Sequence, residues 1–222
     1  MSRFMYNDLP SIHSAVRSVN LVEADYLSIL GQLLVKYGVH THLGIGLVHR
    51  HFRLEDHEQL TRIRLPPCND VQVLSTVFNN GIPDPEILKN YNISLSPSSK
   101  LVPSMFMVRE SGIVPYEFYC MEEEEADSLY FNVLSRIDEE FISEWVAALE
   151  DLQVVDVLGL AILNRSQTVL VEEISTDNRV SVYRHCTDGD GIQFIPTIWT
   201  AAGMVMEACD DDENHGTPDV SD

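Results

Sequence analysis

Residues 43–52 read LGIGLVHRHF, an alternating apolar run that ends in two histidines around an arginine. In a strand, successive side chains point to opposite faces. Leu43, Ile45, Leu47, His49 and His51 then share one face, and Gly44, Gly46, Val48, Arg50 and Phe52 share the other. The histidines extend the bulky row that should face a core, so they belong where that core opens toward a rim. The two glycines leave the other face bare, so another element can approach it closely.

A helix is expected just before this strand, over residues 21–37 (LVEADYLSILGQLLVKY). Leu27, Leu30, Leu34 and Tyr37 recur there at spacings of three and four, which makes one apolar stripe. Gly38 is placed to end it. After the strand, RLEDHE turns the chain and QLTRIRL (59–65) alternates as a second strand, stopped by Pro66 and Pro67. In residues 68–100, DVQVLSTVF (70–78) can be a short helix or strand, NNGIPDPEI and ISLSPSSK are turn-rich, and the whole reads as a long connection with one helical turn. VPSMFMVRE (102–110) and IVPYEFYCM (113–121) flank Ser111-Gly112 and read as a hairpin.

A second helix is expected at 137–152. Its acids Asp138, Glu139 and Glu140 suit a positive N-terminal end, and Phe141, Trp145, Ala148, Leu149 and Leu152 form its apolar face. Strands should follow at 157–163, 168–174 and 179–186, with 193–206 a strand or a capping segment.

The two helix–strand segments align without a gap. Pairing Ala24 with Glu139, 115 residues later, brings Ser28 onto Ser143, Leu34 onto Leu149, Val39 onto Val154, Leu43-Gly44 onto Leu158-Gly159 and Arg50 onto Arg165. Each helix can cover one face of a hairpin, and the two units can bury those faces together. The expected fold is α+β: two related helix–β-hairpin units, at about 21–66 and 137–175, form a largely antiparallel sheet covered by helices. They form one domain over 1–206, followed by an acidic disordered tail at 207–222. The histidines belong to one unit alone, since Asn164 stands at the position of His49 and Ser166 at that of His51.

Bulk composition narrows the function. The formal charge is -21, from 35 acids against 14 bases, which disfavours nucleic acid and anionic membrane surfaces as partners. Much of the acid is concentrated in EEEEAD (122–127) and in the tail. There is no apolar run of about 18 residues and no apolar signal core at the N-terminus, so a cytoplasmic location is expected. Cys68, Cys120, Cys186 and Cys209 form no C-x-x-C pair and read as free thiols. Nucleotide-binding loops and the G-x-S-x-G nucleophile motif are absent.

The chemistry therefore centres on the His-x-His pair. Imidazoles two residues apart on a strand lie about 7 Å apart along the backbone and can converge on one ion such as zinc, copper, iron or nickel. The candidate metal ligands are His49, His51 and His185, with Glu117 and Cys186 as other ways to complete the set. His49, His51 and Arg50 are the candidate catalytic groups, with imidazole as acid–base catalyst. A buried hydrogen-bonded histidine network is the alternative. For Arg50 and Arg165 the simpler reading is pairing with acids such as Glu55, Asp56, Glu172 or Glu173.

The L-x-H-R-H-F pattern, together with the later LGLAIL segment, resembles a group of small uncharacterised proteins from filamentous fungi. The resemblance covers about residues 20–175 and implies that 48–52 is a shared feature. It carries no substrate, cofactor or catalytic residue. The expected function is a small intracellular enzyme or ligand-binding protein with a polar, metal-capable site around the His-Arg-His strand end, acting on a small molecule. The alternative is a non-catalytic acidic interaction module that engages basic proteins and keeps its histidines for structure.

Overall fold

The computed structural model describes residues 6–20, 25–65, 71–110, 112–163, 169–185 and 194–210. The helices are α1 (Ile12–Asn20), α2 (Tyr26–Lys36), α3 (Pro85–Asn90), α4 (Glu123–Asn132) and α5 (Glu139–Asp151). The first six strands are β1 (Leu43–Leu47), β2 (Glu58–Arg64), β3 (Val71–Asn79), β4 (Ile82–Pro83), β5 (Lys100–Arg109) and β6 (Gly112–Met121). The remaining five are β7 (Leu158–Ile162), β8 (Leu170–Ser175), β9 (Val180–His185), β10 (Phe194–Trp199) and β11 (Val205–Asp210).

These strands form one sheet in the order β2-β6-β5-β7-β1-β10-β11-β8-β9-β3-β4, and β2 pairs with β3 as well. That last pairing closes ten strands into a barrel and leaves the two-residue β4 attached to β3. The barrel is mixed, because β2 runs parallel to β6 and β8 parallel to β11. The expected α+β sheet covered by helices is thus overturned: the sheet has closed on itself, and few helices lie outside it.

The physical reason is in β1 and β7. All five residues of each are buried. On one face Leu43, Ile45, Leu47, Leu158, Leu160 and Ile162 pack with Leu30 and Leu34 of α2 and Phe141, Trp145 and Leu149 of α5. The other face carries Gly44, Gly46, Gly159 and Ala161. A Cβ at Gly159 would stand 2.0 Å from the Phe106 carbonyl oxygen, and one at Gly44 would stand 2.4 Å from that of Trp199. A strand buried on both faces takes a neighbour on each edge, and β1 takes β7 and β10. It does not pair with β2, so the units drawn at 21–66 and 137–175 are not helix–hairpins.

The pairings of β1, β2, β3, β5 and β6 correspond one to one with those of β7 to β11. The hairpins β2–β3 and β5–β6 match β8–β9 and β10–β11. The parallel pair β2–β6 matches β8–β11, with Leu60 opposite Glu117 in one and Leu170 opposite Glu207 in the other. Register shifts fall after Pro103 in β5 and after Pro196 in β10. The strands β1 and β7 pair with each other, Leu43 to Ile162 and Leu47 to Leu158, and β3 pairs with β9. Just beyond the β1–β7 ladder, Val48 N donates to Val157 O and Leu163 N to His42 O, each at 2.8 Å.

Other boundaries also move. Residues 71–79, expected within a connection as a short helix or strand, form a full barrel strand, and 12–20 form a helix that adds Ile12, Ala15 and Val19 to the core. A tail beginning at 207 would cut through β11, where Ala208 and Cys209 are buried. Residues 211–222 and Arg165 lie outside the described residues. The acidic run 122–127 largely forms the first turns of α4, where Glu123, Glu124 and Glu125 meet the positive end of the helix dipole. Among the described residues, no helix is long and apolar enough to cross a membrane.

Candidate metal centre

The ladder of β1 ends at Leu47, so His49 and His51 are not carried on an extended strand. They converge all the same, with ring centroids 4.7 Å apart and planes at 49°. The turn is held by the segment Tyr6–Pro10, which straps this end of the barrel. Arg50 N donates to Pro10 O at 3.0 Å, and Arg50 Nη1 donates to Asn7 O at 2.8 Å. The Asn7 side chain clamps Leu54 through bonds of 2.8 and 2.9 Å. His51 N donates to the Tyr6 hydroxyl oxygen at 3.1 Å. Arg50, expected beside the histidines as a catalytic group, is therefore turned away to anchor the strap.

Both imidazoles are buried inside the barrel, His49 at 3% exposure and His51 at 0%. His51 Nε2 lies 3.1 Å from Glu117 Oε1 on β6, and His51 Nδ1 lies 3.1 Å from Glu172 Oε1 on β8. Those strands are four steps apart round the ring by the shorter path, so the imidazole joins them across the interior. Arg62 spans the interior in the same way: Nε reaches Glu117 Oε2 at 2.9 Å and Nη1 reaches Glu207 Oε2 on β11 at 2.6 Å. Its guanidinium lies over the ring of Tyr183 at 5.0 Å.

Hydrogen bonds fix which nitrogen of His49 is bare. His49 Nδ1 is 2.9 Å from Leu47 O, and a carbonyl only accepts, so Nδ1 carries the proton. The lone pair then sits on Nε2, which faces Cys209 Sγ at 3.5 Å. Between His51 and Glu172 the situation differs. His51 Nδ1 and Glu172 Oε1 face each other at 3.1 Å as a buried ion-pair contact.

Electrostatics separates the two histidines. Burial, then the charge on His51, holds the His49 pKa down at about 3, so it stays neutral. Burial would also lower His51, but Glu172 and then Glu117 outweigh it and raise it to about 10. Burial works against ionised carboxylates at Glu172 and Glu117; His51 holds the first, and Arg62 then His51 the second, below the usual range. At Glu207 burial wins over Arg62 and the pKa rises, and burial followed by Glu172 raises that of Cys209.

His49, His51 and Glu172 each offer one ligand atom, and these atoms all lie within 4.8 Å of one another. This buried group can hold a metal ion. His185, expected as a ligand, is exposed at the end of β9 and lies outside the group. Glu117 reaches the site as a partner of His51, and Cys186 lies outside the described residues. The missed residues are Glu172, Arg62, Glu207 and Cys209. The signal for the first was its place in VLVEEI, where Glu172 interrupts the row that Leu170 begins. No protein-family model, no curated protein and no solved structure matches the chain.

Proposed function

We propose that this chain is an intracellular metal-binding protein that holds one divalent transition ion, zinc fitting its ligands, inside the barrel between His49, His51 and Glu172. The observation that carries this reading is the buried donor group: a bare Nε2 on His49 faces inward, and one ligand atom from each of His49, His51 and Glu172 lies within 4.8 Å of the others. Two imidazoles and one carboxylate suit zinc or iron far better than magnesium. Glu117 supports the set from behind, because a carboxylate on the far nitrogen of a ligating histidine orients the ring and strengthens it as a donor.

Charge supports the same reading. Among the described residues, Glu117, Glu172 and Glu207 share the interior with Arg62 and, at neutral pH, the imidazolium of His51, so acids outnumber cations there. A dication taking the place of the His51 proton brings further positive charge into this acid-rich interior. The enclosure suits a closed site.

The test is a zinc titration of chelator-treated, full-length protein followed by calorimetry. One ion per chain should bind with proton release, and His49→Ala and Glu172→Gln should abolish binding while the fold persists by circular dichroism. Absence of zinc, iron, nickel and copper binding would defeat the reading. The second reading is a metal-free charged core, with the acidic surface engaging basic proteins. It is favoured by the fact that both nitrogens of His51 already have carboxylate partners, and it takes over if that titration is flat.

A further inference from the structure

We infer that Cys209 is a further ligand of this centre, so that the site is a mixed nitrogen, oxygen and sulfur set selective for soft or borderline metals. The inference rests on the metal-binding reading above and adds the residue that decides which ions are taken. Cys209 is fully buried on β11 and is the ladder partner of Glu172 on β8. Side chains paired in this way leave the sheet on the same side, and here that side is the barrel interior. Two residues earlier on the same strand, Glu207 holds Arg62, so β11 offers the interior one carboxylate and one sulfur.

The sulfur–nitrogen distance fits coordination. Cys209 Sγ is 3.5 Å from His49 Nε2, and its thiol donates to Glu172 Oε2 at 3.1 Å. Metal bonds of about 2.0–2.3 Å place adjacent tetrahedral ligands about 3.3–3.8 Å apart. The lone pair of His49 is aimed at the sulfur because Nδ1–H is committed to Leu47 O. An ion seated on that lone pair therefore lies beside Cys209. Coordination forms a sulfur–metal bond and releases the thiol proton to solvent, with no change of oxidation state. Thiolate in the set disfavours magnesium, calcium and manganese and favours zinc, cobalt and copper(I). Cys120 is the internal control, since it is buried in a separate apolar cluster with Ile63 and Phe78.

The experiment is addition of Co2+ to chelator-treated, reduced, full-length protein, followed by absorption spectroscopy. An intense near-ultraviolet sulfur-to-cobalt charge-transfer band is expected, together with visible ligand-field bands. Cys209→Ser should lose the ultraviolet band, keep the visible bands and weaken cobalt binding by at least the roughly 10–100-fold that loss of one outer-shell partner costs. Cys120→Ser should leave the spectrum unchanged. Visible bands without the ultraviolet band in the unsubstituted protein would overturn the role of Cys209 and leave the three-ligand site standing. Persistence of the ultraviolet band in Cys209→Ser would overturn it too. A protein that takes up no cobalt defeats the metal-binding reading itself, and the sulfur ligand falls with it.

Discussion

His49 and His51 stand two residues apart and respond to protons in opposite senses. The folded pKa of His51, about 10, lies above its ordinary 6.5, so its stabilisation is complete below pH 6.5 and is lost as pH rises toward 10. The folded pKa of His49, about 3, lies below 6.5, so its stabilisation is complete above pH 6.5 and is lost as pH falls toward 3. Glu117 and Glu172, held below 4.5, add their own loss only as pH drops through that value and below. With chelator present, urea midpoints should therefore peak near pH 6.5. His51→Gln should flatten the alkaline limb, and His49→Gln the fall between about pH 6.5 and 4.5. A midpoint that keeps rising through pH 6.5 in the unsubstituted protein would show that the two rings are not held as described. The sequence made these residues candidates because two imidazoles follow an apolar strand. It could not show the sorting of their charges, because that depends on Glu117 and Glu172, which lie 66 and 121 residues beyond His51 along the chain.

Among the elements, β1 and β7 explain both what was legible and what was not. Their glycines announced a close approach, and the structure supplies it as the backbone carbonyls of Phe106 and Trp199. Gly159→Ala should therefore cost at or beyond the upper end of the about 1–3 kcal/mol typical of overpacking, because a carbonyl in a ladder cannot step aside. Gly46→Ala should cost less, since its nearest obstacle is the flexible tip of Met105 at 2.7 Å. Thermal unfolding of the two variants checks the order, and equal costs would mean that the β7–β5 contact is looser than it looks. The hairpin assignment failed because alternation reports which residues share a face and says nothing about which strand lies alongside. Both faces of β1 are buried, so it could serve as a central strand, and β2 found β3 and β6 instead. The histidine pair was expected to converge through strand periodicity. It converges through a turn after Leu47, strapped by Tyr6, Asn7 and Pro10.

The whole molecule is a closed barrel whose two sets of five strands share one pairing plan, yet the interior is chemically asymmetric. Arg62 and Glu172 occupy matching ladder positions, each two residues after a leucine that faces a glutamate. His49 and His51 come from the first half, and Glu172 and Cys209 from the second. A donor set assembled across both halves was not readable from local spacing, since no segment carries more than two of its members. The outside carries its own acids, with Glu123, Glu124 and Glu125 grouped at the start of α4. Bulk metal content alone would therefore mix surface ions with the interior one, and position is the discriminating quantity. The most direct measurement is anomalous diffraction at the zinc edge from crystals of the zinc-loaded protein. The expected map has its strongest peak inside the barrel, about 2.0–2.2 Å from His49 Nε2, His51 Nδ1 and a Glu172 oxygen. A map with zinc only against the surface acids, or with no interior peak, contradicts the metal centre.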